Sequence, residues 1–314
     1  MDRRHPYRFL IAGSLLATAA VAGGSAADLP IAEARWIAPG RDVVRALTTE
    51  RGECLALPVE PAARRSVEIG RAAFRDPLLL GGVAARVGLA CASCHRAGHD
   101  NPDFHFPGLT GAPGTTDTTS AVTSERRDDA RFNPKIIPSL VTGEGRVTIS
   151  RARDGALERF IHGLVVDEFD GVEPSPRVLA GLADYVRALR RGACAPADSS
   201  ITAASRIDDA ARALEAGAQS IEAGDPATAR TMVASARSIL GTIAVRLPAP
   251  VPPAASAEIT ALSLDMGRVG QAPTSAADLR ALQGRLLALR GQSAEWQRLS
   301  LFDRDRLAEA LRAP

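Results

Sequence analysis

Apolar positions along this chain recur at three- and four-residue spacing rather than alternating, so the pattern predicts helices joined by loops. A first helix is expected over Pro61 to Asp76, with proline at its start and Val67, Gly70, Arg71 and Phe74 near one another. Gly70 has no side chain to hold a neighbour off, which predicts a close helix crossing there. The expected partner runs from Pro176 to Arg191: Ser175 is an N-cap, Leu179, Leu182, Val186 and Leu189 form a stripe, and Gly192 is a stop. Tyr185 falls where it can meet Gly70 and Phe74. A middle helix, Asp154 to Phe169, carries Leu157, Phe160, Ile161, Leu164 and Val165 on one face. Between Cys94 and Arg153 the chain reads as loop, with a short strand at Val147 to Ile149.

After Gly192 alanine dominates and aromatic residues nearly vanish. Ile207, Ala211, Leu214, Ala218 and Ile221 predict one helix, Gly224-Asp225-Pro226 a turn, and Met232, Ala236, Ile239, Leu240 and Ile243 a second, antiparallel one. Residues 247–253 are proline-rich and read as a semi-rigid spacer. Ser275 is expected to cap a helix with Leu279, Leu282, Leu286 and Leu289 that stops at Gly291, and Ser293 to start a last one containing Trp296 and Leu299. No charged or nucleophilic cluster marks this region, which reads as a packing or docking module.

The amino terminus changes the picture of where the protein works. Arg3, Arg4 and Arg8 precede an apolar run from Phe9 to Val21, and Ser25-Ala26-Ala27 supplies small residues, so residues 1–27 read as a signal peptide and the periplasm as the destination. No later stretch is apolar enough to span a membrane. The formal net charge is +2, and removing residues 1–27 leaves a neutral chain, which argues against a nucleic-acid partner.

The candidate chemistry lies in Cys91-Ala92-Ser93-Cys94-His95. C-x-x-C-H is the attachment sequence of a c-type haem: two thiols three residues apart reach the two vinyl groups of one porphyrin, and the adjacent imidazole reaches the iron. With 4 Cys and 5 His in 314 residues, chance produces the pattern on the order of one time in a thousand. The competing reading is a zinc site built from Cys91, Cys94, Cys54 and Cys194, which has no use for His95. If the haem takes Cys91 and Cys94, an oxidising compartment lets Cys54 and Cys194 close as a disulfide worth ~4–5 kcal/mol, the alternative being two free thiols.

Around that motif, Gly70-Arg71-Ala72-Ala73-Phe74-Arg75-Asp76-Pro77-Leu78, the loop Pro113-Gly114-Thr115, and Asn133-Pro134 with Ile137-Pro138-Ser139-Leu140 resemble the haem domain of bacterial di-haem cytochrome c peroxidases, including MauG-type proteins. The segment Ala183 to Leu189 is similar to the closing helix of cytochrome c domains. The resemblance covers about Arg64 to Arg191. It implies a cytochrome c-like haem domain over 61–196, and with the helical pattern on either side the expected fold is all-α: a lead-in over residues 28–60, that domain, and an alanine-rich helical hairpin or bundle over 197–314. Those enzymes use two haems, whereas this chain has a single C-x-x-C-H, so their peroxidase activity does not transfer with the resemblance.

The iron's sixth position decides between electron transfer and ligand chemistry. His105 lies in a loop between Phe104 and Phe106, and His162 flanks the apolar face of the middle helix; either is a candidate distal ligand. His99 is one turn past His95 on the wrong side of the ring. Met232 and Met266 fall outside the haem region, so a bis-histidine or five-coordinate iron is expected. Glu125, Arg126, Arg127, Asp128, Asp129 and Glu168 could supply acid–base groups to a peroxidase, or be solvated surface. Three readings follow: a single-haem cytochrome passing one electron to a redox partner such as another cytochrome, a peroxidase-like or MauG-like oxidase that borrows its second haem, and a haem-based sensor or assembly factor.

Overall fold

The computed structural model describes residues 30–144 and 148–312 and is mostly helical. The expected signal peptide and Val147 of the expected strand lie outside the described residues; Thr148 and Ile149 are not strand. Among the described residues no helix is long and apolar enough to cross a membrane.

A short helix, α1 (Val43–Thr48), leads into strand β1 (Thr49–Glu50), and then α2 spans Pro61–Ala73. The Glu60 carboxylate caps α2 by accepting from the Ala62 and Ala63 N–H groups at 2.8 and 2.6 Å. It ends three residues before the expected Asp76, because a residue preceding proline is driven to extended backbone. Asp76 obeys, at φ −89° and ψ 112°, and caps the next short helix, α3 (Pro77–Leu80). Then come α4 (Gly82–Val87) and α5 (Cys91–Cys94), followed by largely irregular chain to residue 155 whose described residues include a 3-10 turn at Arg96–Gly98 and the strand pair β2 (Thr115–Thr116) and β3 (Lys135–Ile136).

The middle helix is shorter than its apolar stripe. As α6 it covers Ala156–Gly163, starting after Gly155 at φ +77° and widening into a π turn over Leu164–Glu168. α7 (Pro176–Ala188) starts as expected, with Ser175 Oγ accepting from the Val178 N–H, but stops before Arg191. Leu189 and Arg190 leave it as extended chain, and the Arg190 N–H donates to Cys54 O at 2.7 Å.

The crossing of α2 and α7 is as close as the sequence implies. A Cβ on Gly70 would lie 1.9 Å from Gly181 O, and one on Gly181 2.8 Å from Ser66 O, so both backbones touch where neither residue has a side chain. Beside the crossing the Phe74 and Tyr185 rings stand 5.0 Å apart.

Strand β4 (Ser199–Ser200) pairs antiparallel with β1, and α8 (Ala203–Glu222) and α9 (Pro226–Ala244) form the expected antiparallel pair across Gly224. A helix absent from the sequence reading, α10 (Pro253–Gln271), precedes α11, and α11 (Ala276–Gln297) runs straight through Gly291 and Ser293. Leu279, Leu282, Leu286, Leu289, Ser293 and Trp296 form one buried row, whose packing outweighs the ~1 kcal/mol that a mid-helix glycine costs. The last helix, α12, is Arg304–Ala310. Residues 247–253 are a packed turn rather than a stand-off, with Leu247 and Val251 buried.

One hydrophobic cluster runs from Val67 and Leu182 through Leu214 and Leu240 to Trp296, so the core is continuous across residues 196/197. The lead-in is packed as well: Ile31, Ala34 and Leu47 bury themselves with Leu301 and Leu307. Cys54 and Cys194 are joined by a disulfide. Next to it, Glu53 accepts from Tyr185 Oη at 2.6 Å and pairs with Arg75 at 2.9 Å and with Arg71. Burial works against the Glu53 carboxylate's charge, but Arg75 and Arg71 beside it and the tyrosine hydrogen bond win, holding its pKa down at about 2.

Two predictions follow from this packing. Gly70→Ala drives a methyl into the Gly181 carbonyl and costs about 3 kcal/mol, read as a lowered urea midpoint. Glu53 has its folded pKa below its ordinary 4.5, so its contribution, about 3 kcal/mol, is present above that value and is lost as pH falls towards 2. Glu53→Gln is therefore expected to be destabilised at neutral pH and to lose this part of the acid dependence, measured as urea midpoints down an acid series.

Candidate functional site

The five-residue motif is held by main-chain bonds from both sides. The Ala92 N–H donates to Phe74 O at 3.1 Å, so the carboxyl end of α2 is closed by the amino end of α5. Ser93 Oγ accepts from the Ala90 N–H at 3.1 Å, and Asn101 Nδ2 donates to Ser93 O at 2.8 Å. After His95 the chain reverses through Ala97 at φ +51° and Gly98 at φ +83°. Gly98 is required twice, for its left-handed backbone and because a Cβ there would meet Leu189 Cδ1 at 2.6 Å.

That reversal presents Gly98 O to the Leu140 N–H at 2.8 Å and brings residues 137–142 alongside the motif. Pro138 O then stands 2.9 Å from His95 Nδ1. A carbonyl oxygen can only accept, so Nδ1 carries the proton and the lone pair of the neutral ring is on Nε2. Burial pushes the imidazole's pKa down to about 4, against the opposing pull of the Pro138 hydrogen bond, so the ring is neutral at pH 7. Phe74 packs near it, with ring centroids 6.4 Å apart.

Cys91 and Cys94 are free thiols, half-buried against the core. Burial raises both thiols to about 12. The site therefore offers one imidazole lone pair and two unoxidised sulfurs, a donor set that fits a covalently tethered metal macrocycle, with the Asp76 carboxylate close enough to act on Cys91. The four-cysteine zinc arrangement does not form, because Cys54 and Cys194 are bonded to each other. Cys54, His99 and Glu144 do bring ligand atoms within 4.8 Å, but that sulfur is spent in the disulfide.

The other expected residues are dispersed. His99 is buried against the disulfide, with Nδ1 2.8 Å from Glu144 Oε2 and Nε2 3.1 Å from Gly52 O. His162 is partly exposed and its Nε2 is 2.7 Å from Glu173 Oε2. His105 is half-buried, fixed by its main-chain N–H donating to Trp36 O at 2.8 Å. Met232 and Met266 are wholly buried in α9 and α10. In the charged loop, Asp128 and Asp129 accept from nearby backbone N–H groups, Arg126 lies 3.7 Å from Asp170, and Arg127 lies 3.8 Å from Glu168. Glu168 Oε2 is buried and has no hydrogen-bond partner among the described residues.

Arg151 escaped the sequence reading. Its guanidinium donates to Leu140 O at 2.6 Å, Thr142 Oγ1 at 2.9 Å and Val186 O at 3.1 Å, clamping the loop that carries Pro138 onto α7. One arginine among many in a loop carries no local signal of such a role.

No family model, curated protein or solved structure matches this chain.

Thiols raised to about 12 are poor nucleophiles. With Cys91 and Cys94 free and the disulfide closed, a thiolate fraction of about 10⁻⁴ at pH 8 predicts alkylation by iodoacetamide roughly three orders of magnitude slower than for free cysteine. Rapid labelling of Cys91 or Cys94, read by mass spectrometry, would contradict the burial described.

Proposed function

We propose that this chain is an exported, periplasmic c-type cytochrome that carries one haem c, bound through Cys91 and Cys94 with His95 on the iron, and transfers single electrons to or from a partner protein, another cytochrome being the natural counterpart. The observation that carries the reading is the hydrogen bond from His95 Nδ1 to Pro138 O. It fixes the tautomer that leaves Nε2 as a metal ligand, the second-shell arrangement that metal-bound histidines use. A zinc knuckle or a thiol–disulfide pair has no need of it.

When bound, the haem supplies the one-electron chemistry. The chain's own part is to hold His95 neutral and aimed, to present Cys91 and Cys94 three residues apart as unpaired thiols for attachment, and to shield that face with Phe74 and the loop of Pro138. The haem domain, on this reading, is cytochrome c-like and akin to that of the di-haem peroxidases. His105 and His162 are both sixth-ligand candidates on this reading, His162 with its Nε2 bonded to Glu173 and its Nδ1 free of that bond.

One observation favours the enzymatic alternative. The buried, unpartnered Glu168 oxygen with Arg127 beside it is the kind of acid–base group and cation that a peroxidase-like or MauG-like oxidase requires. Ligand binding separates the two readings: slow or absent carbon monoxide binding to the reduced protein is expected for an electron carrier, and fast binding with peroxide turnover for the enzyme.

Exported protein made with haem-attachment machinery is expected to keep its pigment through acidified acetone. Cys91→Ala or Cys94→Ala should lose most covalent haem, and His95→Ala should retain it but lose the low-spin spectrum. Colourless wild-type protein, or three variants with unchanged spectra, would overturn the assignment.

A further inference from the structure

A cavity of about 430 Å³ lies behind the motif, between the lead-in, the back of α5 and the carboxy-terminal helices. Ala92 and Ser93 line it, whereas Cys91, Cys94 and His95 do not. Its volume is that of a small-molecule site, and its wall mixes an apolar lining, with Trp36, Ile239 and Phe302, with a few charged groups.

The lining carries four arginines and four carboxylates, most of them engaged in ion pairs. Arg75 pairs with Glu53, Arg206 with Glu50 and Asp209, Asp209 also with Arg212, and Asp103 with Arg41. Arg96 and Arg246 remain, and neither forms an ion pair with a described carboxylate. Arg246 is 5% exposed, stacks 4.9 Å over the Phe302 ring, and donates one hydrogen bond, to Leu47 O at 2.9 Å. Arg96 donates one to Thr49 O at 2.9 Å. Against these two guanidinium groups the lining sets Glu33, itself without an ion pair among the described residues, so two unpaired arginines face one unpaired carboxylate.

We propose that this cavity binds a small organic monoanion, a carboxylate with an apolar or aromatic body, through Arg246 and Arg96, with Trp36, Phe302 and Ile239 packing against the body. A guanidinium matches a carboxylate with two parallel donors, and a desolvated one gains most from it. Burial, with Arg206 and Arg96 nearby and Glu33 opposing, already depresses Arg246 to about 10, the mark of a cation short of counter-charge. Buried ion pairs that were complete would show no such deficit.

The test is calorimetric titration of the full-length protein with 2-naphthoate, with neutral 2-naphthylmethanol as the control. Stoichiometric binding of naphthoate is expected, weakened about tenfold or more in the neutral analogue and in Arg246→Met. Gly241 lines the exposed mouth, with nothing within 4 Å of where a Cβ would go. Gly241→Trp, which leaves both arginines in place, should therefore block entry while the protein stays folded, and it keeps the test decisive if Arg246→Met does not fold. Absent naphthoate binding, equal affinity for the neutral analogue, or undiminished binding by Gly241→Trp would each overturn the proposal.

Discussion

The geometry of the site depends on two backbones touching. Where α2 crosses α7, Gly70 and Gly181 bring main-chain atoms together with no side chain between them, a separation that even alanine would not allow. Everything beyond the crossing inherits its position from it. Phe74, one turn past Gly70, lands beside Tyr185 and offers its carbonyl to the first turn of the motif helix. Leu189, just past the end of α7, lands where Gly98 must be bare. The motif is thus suspended from the ends of two helices whose separation is set by contact, which is a stiffer constraint than a loop tethered at one end.

Beside that apolar contact runs a polar layer. Glu53 belongs to the lead-in, Arg71 to α2, Arg75 to the turn after it and Tyr185 to α7, and all converge on one carboxylate. The layer continues into α8, where burial disfavours the Asp209 charge but Arg75, Arg206 and Arg212 hold its pKa near 2. Ion pairs of this kind gain little over an apolar core of equal volume, since desolvation offsets most of their attraction. Their effect is on which arrangements are tolerated: sliding α8 along α2 would leave a buried charge unmatched. With the continuous apolar core, this makes the carboxy-terminal helices part of the same solid as the motif rather than an appendage.

What was legible in the sequence were the features whose cause is local. Ser175-Pro176, Asp225-Pro226 and Ser275 open helices because capping needs only neighbouring residues, and the C-x-x-C-H spacing is a local code. The Gly70 crossing and the disulfide were also readable, the latter because Cys54 and Cys194 are the two cysteines outside the C-x-x-C-H motif. What stayed hidden was non-local. α10 buries only a thin row, Ala255, Ile259, Leu262 and Met266, among small and polar residues, so its stripe is faint. α11 continues past Gly291 because Trp296 and Ser293 have a surface to pack on, which no window of sequence reveals. The Pro138 carbonyl reaches His95 from 43 residues away along irregular chain, and Arg151 clamps that chain from a third place.

The nature of that acceptor bears on the chemistry. A carboxylate on the far nitrogen of a metal-bound imidazole gives the ring anionic character and pushes electron density towards the metal, which assists bond-breaking chemistry at the opposite face. A peptide carbonyl orients the ring and fixes its tautomer with far less of that push. The nearest histidine–carboxylate pair in this region, His99 with Glu144, is directed at the disulfide instead, while His95 receives only the carbonyl of Pro138. If a haem is bound as proposed, a ring held neutral and firmly aimed, on a motif suspended between two touching helices, would change little in geometry when an electron arrives or leaves. Small reorganisation of that kind is what single-electron transfer requires, so on the proposed reading the carbonyl acceptor is the element that favours an electron carrier over a peroxidase.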